Sequence, residues 1–192
     1  MAAPFLFTAS ALLVFSVLSA IAHWPSINNT VEVSRFADRL NLTSANVGRL
    51  KPICTNGLGH QTNFQTASVT VGGKIYTAID FDTIAVDAAL CAVKWRTTET
   101  HKAPGPLSVN RGATVVDGRV IHGGQDGRVL AYDAVTGKRP WATTNTNAAI
   151  GSGTVSYEVK GQQPMGVTVG MTSTIWPTRK VNGHLIVYGS DK

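Results

Sequence analysis

The side chains of this chain that could hold a metal, move a proton or form a covalent bond are its carboxylates, imidazoles, hydroxyls and thiols, and their spacing decides among these uses. Asp80, Asp82, Asp87, Asp117, Asp126 and Asp133 are the oxygen donors a calcium ion would need in numbers. Each falls in a turn or a short repeated motif, where an Asp carboxylate serves nearby backbone N–H groups. No calcium constellation is read from them. The histidines His23, His60, His101, His122 and His184 stand apart, without the paired spacing of metal ligands. Gly151-Ser152-Gly153 has the outline of a nucleophile turn but lacks the strand-to-helix context such an elbow requires, so it is read as a loop. Cys54 and Cys91 make an even pair, either one disulfide or two buried thiols.

The segment that precedes these groups bears on the disulfide. Pro4 to Ala22 is an uncharged apolar run closing on Ala20-Ile21-Ala22, the small-x-small pattern of a signal-peptide cleavage site. A retained membrane anchor is the alternative for a run of this length. Residues 1–22 are therefore expected to be a signal peptide and the protein periplasmic or secreted, a setting that permits disulfides. The rest of the 192 residues suffices for a domain with its own core. The net charge of +6 comes from 17 basic and 11 acidic residues. The basic residues are scattered, whereas phosphate neutralisation needs them clustered, so no nucleic-acid partner is expected.

Sliding the chain against itself reveals the elements that carry these residues. Ala85, Asp87 and Trp95 recur as Ala131, Asp133 and Trp141, each 46 positions on. Before the first copy come Ser68-Val69-Thr70-Val71, a Gly72-Gly73 turn and Lys74 to Ile79. Before the second come Ala113 to Val116, an Asp117-Gly118 turn, Arg119 to His122, a Gln125-Asp126-Gly127 turn and Arg128 to Tyr132. β-branched runs broken by Gly-Gly and Asp-Gly are hairpin signals. A fourth strand is placed ending at each Trp. Four short antiparallel strands every ~45 residues is the pattern of a propeller blade. Trp is expected to cover the gap to the next blade while its N–H finds a carbonyl. Asp is expected to bond the turn that follows it, and Gly137 to supply a positive φ there. Cys91 occupies that glycine's place in the first copy.

An N-terminal extension over residues 23–52 is expected to hold a short helix within Leu42 to Pro52, with Thr43 as N-cap and Pro52 as stop. The blades are placed at about 53–99 and 107–145, with a terminal, atypical unit at about 150–190 in which Val155 to Val159, Pro164 to Gly170 and His184 to Tyr188 form three strands.

The pattern Ala-x-Asp-x-x-x-Gly-x-x-x-Trp, complete at Ala131, Asp133, Gly137 and Trp141, resembles the tryptophan-docking motif of the quinoprotein alcohol dehydrogenases. Val109-Asn110-Arg111-Gly112 is similar to that family's V-N-R-G stretch, and Val155 to Gln163 to its last-blade pattern S-Y-E-V-x-G-x-Q. The resemblance covers about Leu42 to Gly189. It implies an all-β, partial β-propeller and the chemistry of an alcohol or sugar dehydrogenase that uses pyrroloquinoline quinone (PQQ) and Ca²⁺. An electron acceptor such as a cytochrome c or a quinone goes with that chemistry. It also implies that Arg111 contacts the cofactor, a guanidinium being able to donate in a fork to quinone and carboxylate oxygens. The alternative for Arg111 is an ion pair in the loop leading into a blade. Gln65 falls near where family members place a polar cofactor contact.

Two departures qualify what is carried over. Pro104 to Ser108 stands where many members have adjacent cysteines. The chain also passes from an early-blade to a last-blade pattern near Ala149-Ile150-Gly151, so the middle blades, which in the family carry the general base and calcium ligands, have no counterpart. Two functions follow: a PQQ-dependent oxidoreductase, or a non-catalytic propeller-type binding or scaffold module of the cell envelope, self-associating through open blade edges.

Overall fold

The computed structural model describes residues 23–29, 42–59, 65–79, 81–100, 110–143, 146, 148–160, 162, 164–171 and 181–189. The expected signal peptide 1–22, His60, Asp80, His101 and Pro104 to Val109 lie outside them. Among the described residues no helix is long and apolar enough to cross a membrane.

Three antiparallel sheets follow one another along the chain. The first is β1 (Val69–Val71), β2 (Lys74–Ala78), β3 (Asp82–Asp87) and β4 (Val93–Thr98), paired in that order. The second is β5 (Thr114–Val116), β6 (Arg119–Gly123), β7 (Val129–Asp133) and β8 (Trp141–Ala142), again in sequence order. The third has three strands, β9 (Val155–Ser156), β10 (Met165–Val169) and β11 (His184–Tyr188), with β10 in the middle. The protein is all-β, with two four-stranded blades and a partial third.

Local chemistry explains the repeat. The β1–β2 hairpin closes at Val71↔Lys74 and the β5–β6 hairpin at Val116↔Arg119, leaving two residues in each turn. Gly72 and Gly73 have φ of 58° and 71°, Asp117 and Gly118 of 45° and 68°, the positive φ at both central positions that matches the twist of the flanking strands. After β3, Asp87 Oδ1 accepts from the N–H groups of Ala89 and Leu90, both at 3.0 Å. After β7, Asp133 Oδ1 accepts from Val135 and Thr136 at 3.1 and 2.7 Å. Each turn ends on a left-handed residue, Cys91 at φ 55° and Gly137 at φ 70°. Cys91 thus takes up the glycine's conformation as well as its place. It is disulfide-bonded to Cys54 across 37 residues.

The second sheet is buried on both faces, which is why Val129-Leu130-Ala131-Tyr132 is apolar throughout instead of alternating. Val120, Leu130 and Tyr132 pack against Val69, Tyr76, Ala78, Ala85 and Trp95 of the first sheet. Ile121, Val129 and Ala131 pack against Ile150, Met165, Val167 and Val169 on the other side. At the first junction the Trp95 indole is 8% exposed. Its Nε1–H donates to the Ala134 carbonyl at 3.2 Å, and the Tyr76 hydroxyl donates to the same oxygen at 3.0 Å. Burying so large a ring with its N–H satisfied contributes on the order of 3 kcal/mol.

The structure corrects several expectations. The Trp residues do not end their strands: Trp95 lies within β4, opposite Ala85, and Trp141 opens β8, opposite Ala131. Trp141 is 39% exposed and meets Tyr188 edge-on at 6.2 Å, because the third sheet carries no docking motif to receive it. The capped helix reduces to a 3-10 turn at Val47–Arg49. There Thr43 does not cap; its own N–H donates to Asn46 Oδ1 at 2.7 Å. With Leu42, Val47 and Leu50 exposed, the segment has no buried face to extend a helix. The strand at Val155 to Val159 is limited to Val155–Ser156. The inner edges of the first two sheets are partly covered by the chain itself: Trp24 exchanges two backbone bonds with Thr70, and the Val115 N–H donates to the Pro25 carbonyl.

Candidate functional site

β1, β5 and β9 are edge strands of their sheets and adjoin one another from sheet to sheet, which makes theirs the inner edges of the blades, and the loop Asn110-Arg111-Gly112 leads into β5. Gly112 has φ 101°, and a Cβ there would stand 2.5 Å from the Ala67 carbonyl oxygen. Only glycine allows this approach. The contact joins the loop to the segment leading into β1, so Arg111 and Gln65, two residues before Ala67, belong to neighbouring stretches of backbone. Both side chains are exposed.

Arg111 lines a cleft of about 560 Å³ between the inner strands β5 and β9 and the segment Pro25 to Asn29. Its volume is in the range of small-molecule sites. Thr114, Thr154 and Ser156 line it with hydroxyls that donate to the carbonyls of Thr154, Ile121 and Pro164, and Asn28, Asn29 and the aromatic Tyr157 line it too. Gln65 does not line it. Among the described lining residues Arg111 is the one formally charged side chain. A guanidinium at such a place is suited to an anion rich in carbonyl and carboxylate oxygens. There is no Asp, Glu, His or Lys among the described lining residues, so what these residues offer is recognition of such a group. Among the described residues no group of three His, Cys, Asp or Glu is placed to hold a metal.

Behind Arg111 stands a buried polar chain that the sequence reading missed. The Gly112 N–H donates to Asn110 Oδ1 at 2.8 Å. Asn110 Nδ2 lies 3.0 Å from His122 Nδ1 and donates to the Gly123 carbonyl at 3.2 Å. His122 Nε2 lies 2.9 Å from Thr83 Oγ1 in the first blade. The His122 ring stacks on Tyr132, centroids 5.6 Å apart and planes 12° from parallel. Asn110 and His122 are 7% and 4% exposed. His122 is therefore tied to both blades, not isolated as its spacing suggested. The available signal was a histidine at the end of an apolar strand, where an imidazole requires partners.

The carboxylates are also engaged. Asp82 was expected to serve a turn; it opens β3, accepts from Thr98 Oγ1 at 2.6 Å and pairs with Arg96 at 3.3 Å. Arg128 bonds Asp126 at 2.6 Å and reaches Glu99 at 3.5 Å, which also pairs with Arg139 at 3.2 Å. Burial, then the Glu99 carboxylate, pushes the Tyr132 phenol well above its ordinary range. The hydrogen bond from Lys94, then the N–H groups of Leu90 and Ala89, pull Asp87 down to about 2. Ser152 donates to the Thr168 carbonyl at 3.1 Å and has no base beside it among the described hydrogen bonds.

Residues 24–140 match the family described as "Glucose/ethanol/alcohol dehydrogenase, beta-propeller domain", labelled PQQ. The dehydrogenase subunit of the quinone alcohol dehydrogenase of Acetobacter aceti is 32% identical over 149 residues, 72% of this chain and 20% of that protein. The quinohemoprotein alcohol dehydrogenase ADH-IIG of Pseudomonas putida is 27% identical over 163 residues, 72% of this chain and 23% of its own length. Among solved structures, the quinohemoprotein alcohol dehydrogenase of Comamonas testosteroni superposes with a TM-score of 0.67 at 23% identity, over 89% of this chain and 26% of that one. A europium-containing methanol dehydrogenase does so with 0.67 at 22% identity, over 87% and 30%. At these identities the structural likeness is one of fold. The chain spans about a fifth of the length of the curated relatives it matches.

Proposed function

Because this chain belongs to the PQQ β-propeller family of glucose, ethanol and alcohol dehydrogenases, we propose that it forms part of a quinone-binding site, with Arg111 as its anion-recognising residue. The observation that carries this is the position of Arg111 as the one cation among the described residues of a cleft beside the edge strands β5 and β9. The lining fits the group in kind: a guanidinium for carboxylate or quinone oxygens, beside the aromatic ring of Tyr157. When bound, pyrroloquinoline quinone supplies the two-electron acceptor for alcohol or sugar oxidation.

This chain's own contribution is recognition. Arg111 donates to the cofactor's oxygens, the Gly112–Ala67 contact fixes the backbone that carries it, and Tyr157 provides an aromatic surface. Among the described lining residues there is no carboxylate for a base or for Ca²⁺, so no proton transfer and no calcium-assisted step is derived from them. On this reading the chain alone is a shortened, non-catalytic member that binds the quinone. Turnover with an alcohol, and electron transfer to a cytochrome or quinone, would require residues beyond those described in the cleft. Export to the periplasm through residues 1–22 is part of the same proposal.

The test is equilibrium binding of pyrroloquinoline quinone to the purified protein, followed by tryptophan fluorescence and by quinone absorbance kept after desalting. Arg111→Ala is expected to weaken binding roughly tenfold to a hundredfold, a charge-assisted bond being worth about 1.5–3 kcal/mol. Equal affinity of the two proteins, or no retained quinone in either, overturns the cofactor reading. Dye-linked oxidation of alcohols by this chain alone would overturn its non-catalytic part.

A further inference from the structure

We propose that His122 is the positioning residue of the Arg111 loop and holds it only as a neutral ring protonated at Nε2. The inference rests on the quinone-site reading for its functional consequence, but the positioning itself stands on the geometry of the ligand-free protein.

The tautomer follows from a group that cannot be reversed. The Gly112 backbone N–H is a donor, so the Asn110 atom facing it must be the oxygen. That fixes the amide and places Nδ2, a donor, toward His122 Nδ1. Nδ1 must then accept, so the proton sits on Nε2 and is donated to Thr83 Oγ1. The chain runs in one direction, from Thr83 in the first blade through His122 and Asn110 to the backbone next to Arg111. Its Nδ2 has two acceptors, His122 Nδ1 and the Gly123 carbonyl.

Protonation of His122 removes the first and sets a competing donor on the second. An imidazolium is a donor at each nitrogen, so Nδ1–H confronts the amide N–H and turns to the Gly123 carbonyl, 3.3 Å away. Asn110 keeps only an anchor that it shares with the ring, and the bond from Oδ1 to the Gly112 N–H loses the Nδ1 acceptor that helped to orient it. Among the described residues, the titratable group that faces the imidazole is the Tyr132 phenol of β7, stacked on it. Beyond it lies Glu99, paired with Arg128 and Arg139; β3 contributes the neutral Thr83, and the 110–112 loop contributes Arg111 itself. Protonation of the ring should therefore loosen the loop that carries Arg111.

Three readouts test this on the whole chain. Ring nitrogen shifts at pH 7.5 are expected to show His122 protonated at Nε2; an Nδ1 tautomer overturns the proposal. Hydrogen exchange at Gly112, corrected for intrinsic rate, is expected to speed up about tenfold from pH 7.5 to 5, as for loss of one hydrogen bond, with quinone affinity falling by a similar factor. His122→Asn, whose Oδ1 replaces the Nδ1 acceptor without titrating, should keep both properties constant across that range, and His122→Ala should lack Gly112 protection at either pH. Unchanged Gly112 exchange once the ring shifts show His122 charged, or full protection in His122→Ala, also overturns it. Should His122 stay neutral to pH 5, or a variant fail to fold, the tautomer of the wild-type ring decides. If the quinone binds at no pH, the cofactor reading fails alone, since Gly112 exchange still reports on positioning.

Discussion

Trp95 of the first blade rests on Gly137 of the second so closely that a Cβ on Gly137 would stand 2.6 Å from the indole Cδ2. Gly137 is also left-handed, at φ 70°. Gly137→Ala therefore meets both a steric clash and an unfavourable backbone, each costing about 1–3 kcal/mol. A urea midpoint lowered with the slope unchanged is the expected result. An unaltered midpoint would mean the two blades do not depend on this contact.

Trp141 provides the comparison. It holds the same place in its sheet but is 39% exposed, against 8% for Trp95. Trp95→Ala should cost on the order of 3–5 kcal/mol, and Trp141→Ala less than half as much. Equal losses in the same urea titration would contradict the view that Trp141 has no docking motif to receive it.

Cys91 keeps a left-handed conformation, φ 55°, in the place that Gly137 fills in the second blade. Removing its 37-residue crosslink should destabilise the protein by on the order of 3–4 kcal/mol, from the loop entropy restored to the unfolded chain. Replacing both cysteines as Cys54→Ser with Cys91→Gly should recover about 1 kcal/mol relative to Cys54→Ser with Cys91→Ser, because glycine accepts the positive φ without strain. Thermal unfolding of the two double variants decides this.

Asp87 is held at about 2 by the hydrogen bond from Lys94, then by the N–H groups of Leu90 and Ala89. A carboxyl depressed on folding stabilises the protein fully above its unfolded value, near 4, and loses that contribution as pH falls toward the folded value. Stability should decline between about pH 4 and pH 2. In Asp87→Asn that part of the decline should vanish, and in Lys94→Met it should shrink, when urea midpoints are followed across the interval.

Tyr132 ionises late because it is buried and because Glu99 lies near it, in that order. Glu99→Gln should bring phenolate formation to lower pH than in the wild type while leaving it above the ordinary tyrosine range, since burial persists. Spectrophotometric titration of the phenolate band measures this; no shift would show that Glu99 has no electrostatic hold on the ring.

Much of this was legible in the chain. Gly72-Gly73 and Asp117-Gly118 between β-branched runs define hairpins because only such residues accept two successive positive φ angles. Recurrence of Ala, Asp and Trp at one offset marks the blades because every copy must solve the same turn and the same junction. The strand limits were less legible: Trp95 sits inside β4 and Trp141 opens β8, since pairing with the preceding strand, not the motif, sets where a strand stops.

The candidate site divides along the same line. Asn110, Arg111 and Gly112 were visible as a local pattern, and so was a polar Gln65. That Gly112 abuts Ala67, that Arg111 faces a cleft shared with Pro25 to Asn29 and that Gln65 stays outside it were decided by the packing of one blade on another. His122 shows the reason most directly. Its partners Thr83 and Asn110 lie 39 and 12 residues away, in a different blade and a different loop. A sequence specifies its own turns through neighbouring dihedrals and side-chain-to-backbone bonds. Which distant groups satisfy a buried imidazole, and so which residue holds the Arg111 loop, is settled only when the sheets close on each other and exclude water.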